Sequence, residues 1–464
     1  MKKENKLSRR SFLKTSALAS TVGVIAGGGA SGLLTSCSSG SNQSKKTALR
    51  EPGSYYIPEL PDMADDGKPL RAGVIGCGGR GSGAAMNFLD SANGVTIVAL
   101  GDVFEEPVNT LADTLKQKKN IDIPADKRFV GLDAYKKVID SGVDIMIDCS
   151  PPFFRPSHFD YAVKNNTHSF LEKPLFVDAV GYRKVMATAK QAKAKDLNVV
   201  TGAIRHHQRS YVESYKQIMD GAIGEITGGA VYYNGGAQWA RERQPGWSDL
   251  EYMIKDWFNW RWLSGDMILE QHIHSIDAFV WLSGLKPVSA LSFGSSIRRK
   301  SGDRYDNFST DFVMENGAHF HSMCRQIDGC TNNVSNYIQG TKGSWTGTGS
   351  VAGEVVIKDL AGKVIWQFDE EKEKAEYKQT NPFVLEHVNL VNCIRKNTPV
   401  ELASEMAVSN MAAMMGRESA YSGLEMTWET MTASSLDYTP ADLNMGSMDM
   451  SSFVLPLPGT AKNK

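Results

Sequence analysis

The chain has 464 residues, with 51 Lys or Arg, 52 Asp or Glu and a formal net charge of −1. Residues 1–37 hold six of the basic residues and one Glu, so the remaining 427 residues carry a net charge of −6. This length allows two domains with sizeable cores, and the negative charge argues against nucleic acid as a partner.

The first 37 residues have the pattern of an export signal. Ser8-Arg9-Arg10-Ser11-Phe12-Leu13-Lys14 precedes a small, apolar run from Ala17 to Leu34, and together they resemble a twin-arginine signal. The run is too short and glycine-rich to span a membrane. Leu34-Thr35-Ser36-Cys37 resembles a lipobox, in which Cys37 carries a lipid anchor, and an ordinary small residue near a cleavage site is the alternative. We predict a periplasmic or cell-surface lipoprotein of a bacterium, with a tether and lead-in over residues 38–69.

A glycine-rich turn follows the first predicted strand. Between Arg71 and Gly83, three glycines have the spacing G-x-G-x-x-G: Gly76, Gly78 and Gly81. Gly76 allows a tight turn, Gly78 lets a pyrophosphate approach the backbone, and Gly81 lets the following helix pack against the strand. The order of strand, turn and helix predicts a dinucleotide site.

One acidic and one basic residue bear on the choice of nucleotide. The second predicted strand, Val95 to Leu100, leads to Asp102, about twenty residues beyond the glycines, where a ribose-binding acid belongs. A carboxylate there accepts hydrogen bonds from a free ribose 2′-OH and repels a 2′-phosphate, so it favours NAD over NADP. Arg80 lies inside the turn, and it either pairs with a phosphate or is a solvated loop charge.

Apolar runs that alternate with helical spacing complete a first domain, predicted over residues 70–204. The run from Val143 to Cys149 has the continuous hydrophobicity of a parallel strand buried on both faces. Further strands are predicted from Ser169 to Leu171 and from Asn198 to Ala203, with helices between the strands. This order predicts an α/β fold of the Rossmann type, a doubly wound parallel sheet with its site at the carboxyl ends of the strands.

From about Gly224 the hydrophobic pattern changes to period two. Such segments, separated by Gly and Asp turns, are found at 225–233, 288–297, 308–314, 319–325, 333–339 and 355–358. They predict an α+β domain over residues 205–440 with a large, open and mainly antiparallel sheet. Helices near Phe383 to Cys393 and Ser404 to Ser422 complete this domain, and residues 441–464 form a predicted tail.

Several of these motifs together resemble the glucose-fructose oxidoreductase, inositol dehydrogenase and MocA family, over roughly residues 70–430. They are the glycine-rich turn, the strand that ends in Asp102, Ser150-Pro151 with His158 further on, Glu172-Lys173-Pro174, and GDMILEQHIHSID from Gly265 to Asp277. In the family, the last motif is a helix in which an acid precedes a catalytic histidine by four residues. The chain departs from the family at Glu270, where Asp is usual, and at His272, where Gly is common.

The resemblance implies a cofactor, a second domain and a mode of assembly. NAD is the implied cofactor, with contacts from Gly76, Gly78, Gly79, Arg80, Gly81, Asp102, Ser150, Pro151, His158, Glu172 and Lys173. In the family, the open sheet is partly covered by helices and often by another subunit, so self-association through this sheet is a further expectation. The two departures imply that the substrate side of the pocket is this chain's own.

Lys173 and His274 have the chemistry that hydride transfer from a secondary alcohol requires, a base for the hydroxyl proton and a donor for the developing alkoxide. Pro174 biases Lys173 towards an extended conformation at a strand end, so its ammonium is expected in the cleft, with a solvated surface lysine as the alternative. Glu270 and His274 are four residues apart and would share one helical face, where the acid orients the imidazole. Because His272 cannot share that face, no metal site is predicted.

Five further residues are predicted to contact the substrate: Arg205, His207, His272, Asp277 and Trp262. Arg205 and His207 follow the last strand of the nucleotide domain, although a basic hinge loop explains them nearly as well. Asp277 either serves the site or only solvates its helix. Trp262 belongs to a group of five tryptophans at 239–262, whose rings either stack on sugar faces or pack in a core.

The leading hypothesis is an NAD-dependent carbohydrate oxidoreductase that oxidises or reduces a secondary hydroxyl of a sugar, glycoside or polyol by hydride transfer. The resemblance supplies the substrate class. A second hypothesis is redox-cycling glycoside cleavage through a keto-sugar intermediate. A third is a sugar-binding protein without turnover, and the intact Lys173 and His274 argue against it.

Overall fold

The computed structural model of the protein describes residues 55–350, 353–441, 443 and 445–460. The predicted export signal, the lipid-anchor residue Cys37 and most of the predicted tether lie outside these residues. Within the described ranges, no helix has both the length and the apolar character needed to cross a membrane.

A six-stranded parallel sheet forms the first layer of the fold. Its strands are β1 (Leu70–Ile75), β2 (Val95–Asp102), β3 (Arg128–Val130), β4 (Ile145–Asp148), β5 (His168–Leu171) and β6 (Val199–Thr201). They lie in the order β3-β2-β1-β4-β5-β6. The order reverses between β1 and β4, and a ligand crevice is expected at the carboxyl ends of these two strands. The prediction of a doubly wound parallel sheet is confirmed.

Helices connect the strands of this sheet and cover it. They are α1 (Gly79–Ser91), α2 (Glu105–Lys119), α3 (Ala134–Asp140), α4 (Arg155–Lys164) and α5 (Ala179–Ala194). All four residues of β4 are buried, as expected for a central strand with helices on both faces.

A second sheet of nine strands follows in the described chain. Its strands are β7 (Ile226–Gly235), β8 (Pro287–Ser295), β9 (Asn307–Met314), β10 (His319–Gln326), β11 (Asn333–Gly340), β12 (Gly343–Thr348), β13 (Val355–Asp359), β14 (Val364–Gln367) and β15 (Met426–Thr427). The order is β14-β13-β12-β11-β7-β10-β9-β8-β15, and all neighbours are antiparallel except β7 and β10. The predicted open, mainly antiparallel sheet is confirmed.

Further helices follow the first sheet in the chain, and some of them pack on the second sheet. They are α6 (Arg209–Met219), α7 (Asp249–Lys255), α8 (Arg261–Ser264), α9 (Met267–Glu270), α10 (Ile273–Ser283), α11 (Glu370–Glu376), α12 (Pro382–Lys396), α13 (Ala403–Ser422) and α14 (Trp428–Ala433). α10 and α13 cover one face of the sheet, and Phe279 of α10 stacks on Phe320 of β10 with ring centroids 4.1 Å apart.

The other face of the second sheet carries exposed apolar side chains. Leu291 and Phe293 of β8 are 47% and 75% exposed, and Met323 of β10 is 37% exposed. Burial alternates along β9, as expected for a sheet with one covered face. Self-association through this face stays a prediction.

Helix α12 returns from the second half of the chain to the first sheet. It packs against α1, and residues just beyond it extend the sheet edge, where the Val199 N–H donates to Val400 O at 2.7 Å. Tyr56 in the lead-in donates from its hydroxyl to Asn389 of α12 at 2.6 Å. The predicted domain boundaries stay predictions, and α12 brings side chains from residues 382–396 to the nucleotide half of the fold.

Candidate active site

The glycine-rich turn lies at the switch point of the first sheet, between β1 and α1. Gly76 has a φ of +78°, and a Cβ there would lie 2.6 Å from the Ser150 nitrogen. A Cβ on Gly81 would lie 1.8 Å from the Gly76 carbonyl oxygen. By contrast, no atom lies within 4 Å of the Cβ positions of Gly78 and Gly79. Packing therefore requires Gly76 and Gly81, while Gly78 and Gly79 face open space at the amino terminus of α1, which suits an anion.

This difference predicts opposite effects for two alanine substitutions. We expect Gly81→Ala to lower the free energy of unfolding by about 1–3 kcal/mol, because its Cβ overlaps the Gly76 carbonyl. We expect Gly78→Ala to unfold like the wild type and to bind NAD about tenfold or more weakly, because the methyl group fills the space left for the pyrophosphate. Urea unfolding and NAD titration of both variants measure the two effects.

Gly83→Ala is the matched control, since its Cβ has only the Arg80 guanidinium nearby, at 3.6 Å. Equal stability of Gly81→Ala and this control would contradict the packing argument. Unchanged NAD affinity in Gly78→Ala would contradict the predicted position of the nucleotide.

Asp102 lies at the end of β2 and lines a pocket with Gly76, Ser150, Pro151 and His158. Its carboxylate accepts the N–H of Cys77 at 2.7 Å and the N–H of Phe104 at 3.0 Å. Burial raises the pKa of Asp102. The structure thus brings together five of the residues predicted to hold the cofactor, and their open loop and carboxylate fit a dinucleotide.

Asp148, at the end of β4, organises the second wall of this pocket. It accepts the Ser150 hydroxyl at 2.6 Å and lies 3.1 Å from the His158 ring nitrogen Nδ1. Burial opposes its charge, but His158 and other partners hold its pKa below the usual value. Sequence reasoning missed Asp148, although a carboxylate at the end of an apolar strand run was a visible signal.

Arg155, at the start of α4, was also missed. It is buried, and its guanidinium donates to the carbonyl oxygens of Ser150 and Pro174. It therefore joins the pocket wall to the Glu172-Lys173-Pro174 turn, whose Lys173-Pro174 peptide is cis.

Arg80, within the glycine-rich turn, pairs with protein carboxylates. Its guanidinium contacts Glu172 and lies 3.6 Å from Glu386 of α12, and it lies 4.9 Å from the centre of the Phe383 ring. Glu386 is fully buried, and burial raises its pKa well above the usual value. Sequence reasoning weighed a phosphate partner or solvent for Arg80 and missed Glu386, which lies on the buried face of an apolar helix.

Lys173 and Glu270 form an ion pair. The Lys173 ammonium donates to the Glu270 carboxylate at 3.0 Å and also to the Glu270 carbonyl oxygen. Both side chains are largely buried, with 13% and 15% exposed. The pair joins the strand-end motif of the first sheet to the acid of the GDMILEQHIHSID segment.

The helix expected over this segment is interrupted. α9 ends at Glu270 and α10 begins at Ile273, and the His272 N–H donates to Met267 O five residues back, at 3.0 Å. One wider turn of this kind rotates the following residues relative to the preceding ones. Glu270 and His274 are therefore not one regular α-helical turn apart, and Glu270 contacts Lys173.

His274 lies within electrostatic range of Lys173. Burial and the nearby Lys173 ammonium hold its pKa well below the usual value, so its imidazole is neutral near pH 7. Arg205 is buried and donates to the His274 carbonyl oxygen at 2.5 Å and to Gly349 O at 3.3 Å. The described contacts of Arg205 thus hold the main chain of His274.

The other residues predicted to bind substrate are buried among protein groups. His207 contacts Asn389 at 3.1 Å, His272 contacts Ser322 at 2.6 Å, Asp277 lies 2.9 Å from His206, and the Trp262 ring lies 5.0 Å from that of Phe153. Their described partners support structural roles, and substrate contact by these side chains stays a prediction. No group of three His, Cys, Asp or Glu side chains in the described ranges could hold a metal ion.

Two family matches cover both halves of the fold. Residues 70–200 match the oxidoreductase family with an NAD-binding Rossmann fold, and residues 211–346 match the GFO/IDH/MocA C-terminal domain. The chain belongs to the Gfo/Idh/MocA oxidoreductase family. Together the two matches span more than half of the chain, so the family assignment covers the nucleotide site and most of the second sheet.

Individual proteins with named activities are distantly similar to this chain. Scyllo-inositol 2-dehydrogenase (NAD(+)) of Bacillus subtilis is 23% identical over 278 residues, which is 59% of this chain and 72% of that protein. The 2,7-anhydro-N-acetylneuraminate hydratase of Escherichia coli is 26% identical over 165 residues, 36% of this chain and 40% of that protein. The structure of aldose-aldose oxidoreductase from Caulobacter crescentus superposes with a TM-score of 0.61 at 17% identity, covering 77% of this chain and 99% of that chain, which shows a shared fold.

Proposed function

We propose that this protein oxidises a secondary hydroxyl of a sugar, glycoside or polyol. The observation that carries the proposal is the Lys173–Glu270 ion pair, which follows Glu172, the partner of Arg80 in the glycine-rich turn. The similarity to scyllo-inositol 2-dehydrogenase supports a polyhydroxylated substrate. NAD, when bound, supplies the hydride acceptor.

The protein's own side chains supply the proton chemistry. The neutral Nδ1 or Nε2 atom of His274 accepts the hydroxyl proton, and the Lys173 ammonium donates a hydrogen bond to the alkoxide oxygen as its charge develops. Glu270 holds the ammonium in place at 3.0 Å, and Arg205 holds the main chain of His274. Each group is thus positioned before the substrate binds.

The test is to incubate the NAD-loaded protein with a panel of sugars, glycosides and polyols. Absorbance of reduced nicotinamide and the masses of the products are followed together. A ketone product that appears with an equal amount of reduced nicotinamide supports the proposal. Binding of panel members without either change favours a sugar-binding protein instead.

A second candidate is glycoside cleavage or hydration with no net redox change. The observation that favours it is the similarity to a hydratase, since a hydratase reaction leaves its organic product at the oxidation level of the substrate. In the same panel, a freed aglycone or an added water, with no accumulation of reduced nicotinamide, would support this candidate.

We propose NAD as the preferred nucleotide because of Asp102. Its carboxylate lines the pocket beside the glycine-rich turn and repels a 2′-phosphate. Asp102→Ala is expected to weaken NAD binding by about tenfold or more and to change the affinity for NADP less. Nucleotide titrations measure both affinities, with the exposed Asp113→Ala as control, and equal losses for the two nucleotides would count against Asp102 as the selecting group.

We also propose export by the twin-arginine route and lipid anchoring at Cys37, on the basis of the first 37 residues. The route carries folded proteins, which suits a protein that must bind its nucleotide before export. Cells grown with a radioactive fatty acid should label the wild type, and Cys37→Ala should abolish the label. A labelled Cys37→Ala variant would show that the lipobox interpretation is mistaken.

A further inference from the structure

A second cleft, lined by basic side chains, lies at one end of the second sheet. It is formed by the loop after β7, the connection between β8 and β9, and the residues that follow β10. Arg241, Arg298 and Lys300 line it and are exposed. None of these three side chains forms an ion pair with a described residue, whereas Arg243 on the same rim pairs with Asp249 at 2.7 Å.

Two more guanidinium groups meet at Gln326 in the lining of this cationic cleft, Arg299 in the lining itself and Arg304 buried behind it. Arg299 and the fully buried Arg304 both donate to the amide oxygen of Gln326, at 2.6 and 3.0 Å. Neither has a carboxylate oxygen within 4 Å among the described residues, and Nε and Nη1 of Arg304 are buried without a described hydrogen-bond partner. Nearby carboxylates such as Asp266 act on both groups from beyond ion-pair distance, so an anion in the cleft would add a direct counter-charge.

Three carboxylates, Glu242, Asp306 and Asp328, line the cleft beside five Arg or Lys side chains, and two of the three are engaged with the main chain. Asp306 accepts the N–H groups of Ile297 and Arg298 at 2.8 and 2.6 Å, and Asp328 accepts the Ala237 N–H at 2.9 Å. The side chains that line the cleft therefore carry a net positive charge, although the net charge of the whole chain is negative. The excess attracts a ligand that carries negative charge.

An aromatic ring accompanies the charges. Trp239 lines the cleft, is 43% exposed, and is held by Trp257 and Phe258 with ring centroids 6.1 and 5.5 Å away. An exposed, supported indole offers a flat apolar surface on which a sugar ring can stack. A ring beside several cations suits an acidic saccharide better than a small inorganic anion.

The cleft is connected to the catalytic pair. Gln326 in its lining donates from its side chain to the side-chain oxygen of Gln271, the residue after Glu270. Glu270 in turn holds Lys173 at 3.0 Å. One hydrogen bond and one step along the chain therefore link the lining of the cleft to the residue that holds Lys173.

We propose that the cationic cleft binds the carboxylate or sulfate group of an acidic saccharide, and that the sugar hydroxyl nearest Lys173 is the one oxidised. The first part depends on the cleft alone, and the second part rests on the proposed function. Arg298 and Lys300 contact the acidic group at the rim, and Trp239 carries the sugar ring.

The test compares matched neutral and acidic sugars. Binding of glucose with glucuronate and glucose 6-sulfate, and of galactose with galacturonate and galactose 6-sulfate, is measured calorimetrically on the NAD-loaded protein at low salt. We expect at least one acidic sugar to bind about tenfold or more tightly than its neutral counterpart, and to lose this advantage as salt is raised. The carboxylate and sulfate members show which of the two anions the cleft prefers.

Two double variants with the same change of charge make the test specific. The double variant Arg298→Gln with Lys300→Gln is expected to weaken the binding of acidic sugars by about 10–100-fold and to leave the binding of neutral sugars unchanged. Lys190→Gln with Lys193→Gln, on the exposed face of α5, is the control and should bind all members like the wild type. No acidic preference in the wild type, or a preference that survives the cleft variant, would overturn the inference.

Hydride transfer to the nicotinamide is followed in the same samples. Turnover of neutral sugars alone, unaffected by the cleft variant, would overturn the cleft inference and leave the proposed function standing. Cleft-dependent binding of acidic sugars without any turnover would support the cleft and contradict the proposed function.

Discussion

Replacing Lys173 with methionine is expected to lower kcat/KM by about 10²–10⁴-fold, the usual contribution of a positioned acid–base group. The lysine ammonium lies 3.0 Å from Glu270 and is the group assigned to the developing alkoxide. Methionine keeps a similar length and apolar stem but has no proton to donate. Initial rates with the best substrate of the panel measure the loss, and Lys190→Met, an exposed lysine of α5, is the control.

The same experiment extends to His274. His274→Asn is expected to cause a loss of similar size, and the double variant should be little worse than either single one, because groups that act on one proton transfer are not additive. Burial and the charge of Lys173 keep the pKa of His274 well below 6.5. The acid limb of the kcat/KM profile should therefore lie below pH 6.5. Activity within a few-fold of wild type in Lys173→Met or His274→Asn would refute the assignment of these roles.

The first sheet and its glycine-rich turn could be predicted because their signals are local. The fully buried strand β4 is apolar at its first three positions, and the positive φ of Gly76 and the tight packing of Gly81 each require glycine. These demands act within a few residues of the chain. They therefore leave a pattern that a single sequence displays.

The second sheet could be predicted only in part. Six segments of period two correspond to β7–β11 and β13, but β12, β14 and β15 had no such signal. β12 is GSWTGT, in which glycines take positions that apolar residues would occupy. A Cβ on Gly343 would lie 2.1 Å from Lys358 O of the next strand, so close packing between strands selected glycine there.

Lys173 and Glu270 were each predicted as site residues, but Glu270 was expected to orient His274, and its ion pair with Lys173 was not predicted. Lys173 and Glu270 belong to separate motifs, and their ion pair depends on how α9 meets β5. Arg155 joins two nearby turns of the first sheet, and Glu386 reaches Arg80 from a helix more than two hundred residues away. Their visible signal was a charged residue within an apolar pattern, which indicates burial but does not identify the partner.

A fall in pH from about 7 to about 5 is expected to destabilise the fold through its buried histidines. Burial lowers the pKa of His207 and of His272 to about 3, and holds that of His387 well below the usual value. The unfolded chain takes up a proton at each of these histidines near pH 6.5, while the folded chain does not. Their contribution to the free energy of unfolding is therefore fully present above pH 6.5 and is lost as the pH falls towards 3. At about pH 5 the loss is roughly 2 kcal/mol for each histidine.

Other buried groups act in the opposite direction, so a pair of variants is needed to isolate the effect. His206 next to Asp277, and the buried Glu386, have raised pKa values and gain stability as pH falls. His272→Asn should reduce the protons taken up on urea unfolding in weak buffer at about pH 5 by about one, because the unfolded chain loses one titrating imidazole that the folded chain keeps neutral. His321→Asn changes a half-buried histidine of β10, next to the Ser322 that contacts His272, and controls for local disruption. Equal proton uptake in the wild type and His272→Asn would show that His272 is already protonated in the folded protein, and the neutral, buried ring inferred from its contacts would then be incorrect.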